Sequence, residues 1–423
     1  MIHTKKFRRA VSRALKGTAL LVVAGSAAAC SDKFLQVTNP NVIDASTVDP
    51  TSGATTLALS AQQNFATALG WLSVYSGWFT GEINVSDTFP TRNEFGFRVI
   101  SDLNGSLNAD VWVPISRAAA SAKTVLDLEL PNPTTNINIA RAATFRGFSI
   151  LMISTDFCTG TLSSSAELTT AQLLDSATLS FTRGIEVGNA NGSVDGKALA
   201  NAALVGRARA KLQKGDNAGA LADANAVSAG FVYNMNYTDD ANSRARLSNR
   251  QYQSTFDRGS ISVAPQYRTS DPRLTFLGPD VTKLKGQDEV PGGFYQQTKF
   301  NAYNAPLRLA SKLEADYIAA EASKDVTQQL ALINARRTAN AQPVYSGAVD
   351  AASVMKELYT QRAFEFYLEG KHLADFRRSP ASTPFITPAG DPYFKPGYAN
   401  TGTQTCYPLP RAERDNNKNI PKS

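Results

Sequence analysis

Charged residues threaded through a run of aromatics near the C-terminus constrain this chain most. Between Leu358 and Arg378 the apolar positions are Leu358, Ala363, Phe364, Phe366, Tyr367, Leu368 and Leu373. Their steps of three, four and one predict a helix with a broad buried face. Arg362, Glu365, Glu369, Asp375, Arg377 and Arg378 interrupt that face. On a helix Arg362 and Glu365 sit side by side, three residues apart. Gly370 breaks the helix, and a second short turn carries His372 to Arg378. Charges among so many rings are partly buried, and a buried charge needs a partner. The pattern predicts a structural clasp of Arg362, Glu365, Glu369, Asp375 and Arg378 rather than acid–base machinery.

The N-terminus has a different character. Residues 1–29 carry Lys5, Lys6, Arg8, Arg9, Arg13 and Lys16 and no acid, followed by the apolar run 19–24 and small residues up to Cys30. This is the grammar of a secretory signal, and its apolar part is too short to span a bilayer. Ala27 to Cys30 resembles a bacterial lipobox. That likeness implies cleavage before Cys30, diacylglyceryl attachment to its thiol, and a lipidated tether over residues 30–50. Several acyl chains, at ~0.8 kcal/mol per buried methylene, make such an anchor stable.

Removing the signal changes the charge argument. It holds six of the 43 Lys and Arg and none of the 36 Asp and Glu, so the formal net charge falls from +7 to +1. A nucleic-acid role loses its main support. The rest of the chain contains no second hydrophobic span and is long enough for one large domain or two smaller ones. Metal binding is not expected, because the only histidines are His3 and His372, and no cofactor is implied. Cys158 and Cys406 remain; outside the cytoplasm they either form a bridge or lie as two buried free thiols.

Helical patterns fill residues 51–230. Ala54–Gly70 is alanine- and leucine-rich, and the aromatic stretch 71–79 continues it, although Gly70, Gly77 and Gly81 make an unbroken helix doubtful. Residues 84–106 read as a long loop. Helices follow over Trp112–Leu130 and Ile139–Met152, then a loop and short helix over 155–178, and a Gly/Asn turn over 188–196. Lys197–Lys214 and Ala218–Val227 form a helical pair, whose small residues at 202, 203, 206, 208 and 210 allow close approach. This is tetratricopeptide-like grammar. Residues 231–306 break the pattern with tyrosines and phenylalanines among Asn, Asp, Ser, Gly and Pro, predicting a loop-rich insertion. Helices return over Leu307–Ser323, Val326–Asn340 and Asp350–Gly370, and residues 380–423 read as Pro/Gly-rich coil.

Catalytic grammar is missing. There is no Gly-x-Ser-x-Gly, no metal-binding His pair and no phosphate loop, so no catalytic residue is assigned. Asp87, Glu94, Asp102 and Asp110 read as solvated loop acids. Aromatics beside polar loops say more. A sugar has apolar C–H faces for a ring to stack on and a hydroxyl rim for amides, acids and guanidinium groups. Trp71, Tyr75 and Trp78, with Asp87 and Asn93 of the following loop, are the candidate ligand-binding residues. The competing reading places these rings in the core.

Several segments together resemble the SusD/RagB family of outer-membrane lipoproteins. Arg362, Glu365-Phe366, Glu369-Gly370, Asp375 and Arg378 are similar to its C-terminal signature. Asp271 to Leu274 resembles its Asp-Pro-Arg-Leu box. The run from Arg308 to Ala322 resembles its Arg…Glu…Tyr…Ala-Glu-Ala helix, and Leu332 to Arg337 follows it. Tyr407 to Glu413 resembles its closing motif. Where the family often has Gly-Asp-x-Pro-Leu, this chain has Asp156-Phe157-Cys158-Thr159-Gly160. The resemblance implies a mainly α fold, with tetratricopeptide-like helical hairpins as scaffold and an irregular, loop-rich ligand-binding subdomain. Its parts would be 51–230, the 231–306 insertion and 307–423. It also implies a non-enzymatic lipoprotein, anchored in the outer membrane and facing the cell surface, that captures an oligosaccharide or other nutrient. The ligand would pass to a TonB-dependent, SusC-like outer-membrane transporter. A protein-binding helical adaptor and a carbohydrate-active hydrolase are the competing functions.

Overall fold

The computed structural model describes residues 50–288 and 291–421. The signal sequence, Cys30 and the tether up to 49 lie outside the described residues. Helix α1, Pro50–Thr80, runs for 31 residues without a break. Gly70 and Gly77, which suggested interruption, lie inside it where other elements approach closely. A Cβ on Gly70 would sit 2.9 Å from the Arg250 side chain, and one on Gly77 would sit 3.0 Å from Ile83. Only Gly81 stops the helix, in the left-handed region at φ +73°.

The chain then forms β1 (Ile83–Val85) and a short helix, α2 (Pro90–Gly96), where a long loop was expected. Pro90 opens α2, and proline's fixed φ and missing N–H suit a first turn. A π-helical turn over Leu107–Trp112 leads into α3 (Val113–Leu126), and α4 spans Ile137–Asp156. Strands β2 (Thr159–Gly160) and β3 (Leu168–Thr169) pair before α5 (Thr170–Asn191). α5 has 22 residues and a capping box of Thr169 and Gln172. The expected short helix and broad Gly/Asn turn are thus one long helix ending at Gly192; the interior glycines 184 and 188 pack against Thr144 and Ala200. α6 (Val194–Lys214) and α7 (Asn217–Ala226) follow as a hairpin.

These helices pack in succession: α3 and α4 on α1, α5 along α4, α6 on α5, and α7 on α6. Ala202, Ala203, Gly206, Ala208 and Ala210 are buried on α6. With no bulky side chain between them, its neighbours come close.

The irregular region is fastened at both ends. β4 (Val232–Met235) pairs antiparallel with β8 (Leu307–Ser311), from Val232↔Ser311 to Met235↔Leu307. Leu307–Ser311 is therefore strand, not helix. Between them lie α8 (Arg244–Leu247), α9 (Arg250–Phe256), β5 (Ile261–Val263), β6 (Phe276–Leu277) and β7 (Gln296–Gln297). β5 pairs back to β1 with Ile83↔Val263, which ties the insertion to the end of α1. Helix α10 (Lys312–Ser323) packs on α7, while α11 (Val326–Ala339) and α12 (Ala351–Glu365) form the last hairpin. That hairpin has its own cluster of Tyr317, Ile333, Val354, Leu358 and Phe366. α13 (His372–Arg378) lies on α1, and α14 (Arg411–Asn416) precedes the end. The main core extends from Ala54 to Ile420, so the N- and C-terminal regions share one interior. The protein is mainly α, with helical hairpins as scaffold.

Candidate ligand-binding site

A cavity of about 160 Å³ opens at the C-terminal end of α1. Trp78, Phe79, Gly81 and β1 form one wall, and Gly96 and Arg98 a second. Pro265, Gln266 and the C-terminal coil, with Thr387, Tyr393, Phe394 and Thr401, complete it. The coil is held along residues 97–102 by backbone and amide hydrogen bonds. Gly402 N donates to Phe97 O at 2.7 Å, and the Gln404 amide exchanges bonds with both the N–H and carbonyl of Ile100.

The rings form a connected group. Phe97 and Tyr393 have centroids 5.5 Å apart, Tyr393 and Phe394 4.5 Å, and Tyr393 and Tyr398 5.6 Å. Tyr393, Phe394 and Tyr398 are half-buried. Asn84, Arg98, Gln266, Thr387 and Thr401 supply amide, guanidinium and hydroxyl groups around them. Arg98 Nη2 donates to Thr387 O at 2.5 Å, and burial pulls its pKa below the usual arginine value. Gln266 Nε2 donates to Gly81 O at 2.6 Å. Among the described residues, none that lines the cavity is a carboxylate, His, Cys or Ser. The cavity can stack and hydrogen-bond a hydroxylated ligand, but its walls hold no acid–base pair or serine-type nucleophile.

A buried acid lies behind this wall. Glu82 Oε1 accepts from Leu368 N at 2.9 Å, and burial, more than any neighbour, raises its pKa to about 8. The neutral carboxyl joins the end of α1 to the turn after α12.

Of the expected ligand contacts, Trp78 lines the cavity, while Tyr75, Asp87 and Asn93 lie buried outside its lining. Tyr75 and Trp78 are 0% and 2% exposed, and Asp87 and Asn93 are both 0% exposed. Tyr75 packs edge-on against Trp78 and Phe95 and donates to Asp110 at 2.6 Å. Their positions follow from α1, whose aromatic face turns inward onto α2 and the coil. Trp71 is half-buried, with the Arg250 guanidinium 4.5 Å from its ring centroid. Asn93 and Asp87 stand behind the cavity and position its wall. Tyr393 O–H donates to Asn93 Oδ1 at 3.0 Å. Asp87 pairs with Arg92, and its backbone carbonyl accepts from Lys395 Nζ at 2.8 Å. Of the residues that line the cavity, Trp78 was among the expected contacts, whereas Arg98, Gln266, Tyr393 and Phe394 were missed. Their signal was the aromatics at 393, 394 and 398 among the prolines and glycines of a segment read as plain coil.

The C-terminal clasp is built with different partners. Arg362 pairs with Asp375 rather than with Glu365. Glu365 instead meets Arg336 at 2.8 Å and Arg273 at 3.5 Å. Arg378 bridges Asp375 and Glu321 at 2.9 and 2.6 Å. Glu369 gathers Lys299, Arg308 and Lys371 at 2.9, 2.9 and 3.0 Å. Burial alone would raise the Glu369 pKa, but the three cations outweigh it and hold it well below the carboxylate range. Cys158 and Cys406 are joined as a disulfide, which fastens the coil to the end of α4. Beside it, Cys158 N donates to Tyr407 O and Tyr407 N to Asp156 O. Among the described residues no group of His, Cys, Asp and Glu is placed to hold a metal ion. Among them, too, no helix is long and apolar enough to cross a membrane.

No protein-family model matches the chain, and no curated protein sequence does. Solved structures do. A SusD-like carbohydrate-binding protein from Bacteroides vulgatus superposes with TM-score 0.67 at 15% identity, over 87% of this chain and 96% of that one. A laminarin-binding SusD-like protein gives 0.65 at 14% identity, over 88% and 98%. A SusD/RagB-family protein from Bacteroides thetaiotaomicron gives 0.60 at 13% identity, over 79% and 89%. The chain has the SusD-like fold.

Proposed function

We propose that this chain is a non-enzymatic binding protein that captures a glycan in the cleft at the end of α1. The observation that carries the reading is the composition of the cleft, with half-buried rings bordered by amide, hydroxyl and guanidinium groups and, among the described residues, no carboxylate. Stacking on sugar C–H faces and hydrogen bonding to a hydroxyl rim use those groups. Two proteins with the same fold, one carbohydrate-binding and one laminarin-binding, support it.

Cys30 carries the lipid anchor, the protein sits at the surface of the outer membrane, and the captured glycan passes to a TonB-dependent, SusC-like transporter. The lipobox-like sequence before Cys30 and the SusD-like fold support this. Titration calorimetry against a panel of polysaccharides and peptides tests the capture step. Heat with at least one glycan, weakened in Tyr393→Ala, is the expected result. Silence across the glycans with binding to peptides would favour the adaptor instead, and release of reducing ends would favour a hydrolase. For the anchor, Cys30→Ser should abolish membrane fractionation, and unchanged fractionation would remove the lipoprotein reading.

A further inference from the structure

A second group of rings stands apart from the cleft. Tyr252 and Phe256 of α9 are stacked, with centroids 4.3 Å apart and planes 21° apart. Tyr303 meets Tyr252 edge-on at 4.7 Å. All three are half-buried. The Arg244 guanidinium lies 4.8 Å from the Tyr303 centroid, and the Tyr303 hydroxyl donates to the exposed Asp257 at 2.5 Å. α9 packs on α1 near Gly70 and Trp71. Phe79, at the cleft, is eight residues further along, an axial offset of about 12 Å.

The turn that carries Tyr303 also borders an open cavity of about 570 Å³. Asn234, Asn301 and Asn304 line it, and Lys299, Arg308 and Glu369 form its charged part. Those charges are committed to one another, since Glu369 bridges both cations at 2.9 Å. The Asn304 amide donates to Asp239 at 3.3 Å, while Asn234 and Asn301 are exposed and present their amides at the cavity. The open hydrogen-bonding capacity is therefore uncharged, in groups that both donate and accept. With the ring group that the adjoining turn carries through Tyr303, this suits a neutral polyhydroxylated ligand better than an ion.

We infer that Tyr252, Phe256 and Tyr303, with Asn301 and Asn234, form a second sugar-binding platform, so that a polysaccharide engages the protein at two places. The inference rests on the glycan-capture reading and extends it. Two modest contacts on one polymer combine by effective concentration, giving tighter binding to long chains than either site gives alone.

Affinity electrophoresis tests it, using soluble laminarin, starch, xylan and mannan against the full mature chain. Tyr303→Ala should weaken binding of the retained polysaccharide by about fivefold, the equivalent of one lost ring contact. Tyr303→Phe, which keeps the ring, should bind like the parent. The exposed Asn301→Ala should weaken binding without touching the fold. Adding Tyr303→Ala to Tyr393→Ala should remove what binding remains. If Tyr303→Ala and Asn301→Ala bind as the parent does while Tyr393→Ala does not, the platform is overturned and the cleft stands. If only Tyr303→Ala and Asn301→Ala lose binding, the platform is supported and the cleft is overturned. If the parent is retained by none of these polymers, both fall for this class of ligand.

Discussion

Arg362 passes over Glu365, its neighbour one turn along α12, and donates from Nε to Asp375 Oδ2 at 2.7 Å. The bond spans the turn at Leu368 and Gly370, both with positive φ, and locks α13 against α12. Asp375 receives Arg378 as well, so two guanidinium groups neutralise one buried acid. Glu365 is thereby released to hold α11 through Arg336. The clasp joins elements rather than stitching one helix to itself.

Glu369 is the node of that clasp. Glu369→Ala takes the acid from Lys299 and leaves the buried Lys371 with Glu314 alone and Arg308 with Glu365 at 3.8 Å. Breaking a buried ion pair from one side costs about 3 kcal/mol, because a charge remains without compensation. Urea denaturation should show that loss. Adding Lys371→Met should recover part of it. An unchanged midpoint in the single variant would mean the cations find other partners.

Glu82 gives the pH dependence a sign. Its folded pKa, raised by burial to about 8, exceeds the ordinary value of 4.5. Its contribution is fully present below pH 4.5 and is lost as the pH rises through 8. Glu82→Gln keeps the acceptor for Leu368 N and removes the titration. The variant and parent should be nearly equal in stability at pH 4.5. By pH 9 the variant should be ahead by several kcal/mol, at about 1.4 kcal/mol per pH unit. Taking the difference cancels Lys371, whose pKa burial lowers to about 8 and which works in the opposite direction. A difference that stays flat with pH would mean Glu82 ionises in the folded protein.

The disulfide closes a loop of 248 residues in sequence. Chain-entropy arguments put its stabilisation at about 5 kcal/mol as an upper value, and native disulfides typically give 2–4 kcal/mol. Replacing both Cys158 and Cys406 by Ser should lower stability by that typical amount. The loss should begin in the coil that carries Tyr393, which the bridge fastens to α4. Denaturation with and without reductant checks this, together with non-reducing mass spectrometry of the linked peptides. Identical midpoints would show that the hydrogen bonds along residues 97–102 suffice.

The hairpin of α6 and α7 was legible in the sequence, because its signals are local. The small residues of α6 act through neighbours a few positions away, although the pattern began that helix at Lys197 and missed the Ser193 cap before it. The clasp residues were legible as a group, since charge among rings demands pairing. Their partners were not: Glu321, Arg336, Lys299 and Arg308 are distant in sequence, and only the fold brings them in. The cleft was the least legible part. Trp71, Tyr75 and Trp78 dominate the sequence as aromatics, yet burial of two of them is what a long core helix requires. Tyr393 and Phe394 reach the cavity because the C-terminal coil runs back along residues 97–102, an association separated by about 300 positions that no local pattern encodes.

Gly96 links the two halves of the cleft. It is the last residue of α2, and the Tyr393 ring lies directly over its Cα, with Cζ and Cε2 3.0 Å from where a Cβ would stand and the hydroxyl closer still. Gly96→Ala therefore displaces Tyr393 and breaks its bond to Asn93 Oδ1. The backbone of Gly96 is ordinary helix, so alanine brings no conformational strain of its own, and helix propensity favours it by up to about 1 kcal/mol. Stability should change by no more than about 1 kcal/mol, while affinity for the captured glycan should fall about tenfold through the misplaced ring. Calorimetric titration and thermal denaturation of the same preparation separate the two effects. A variant that keeps full affinity would show that the ring at 393 does not touch the ligand, and one that loses affinity only in step with stability would make Gly96 a packing residue alone.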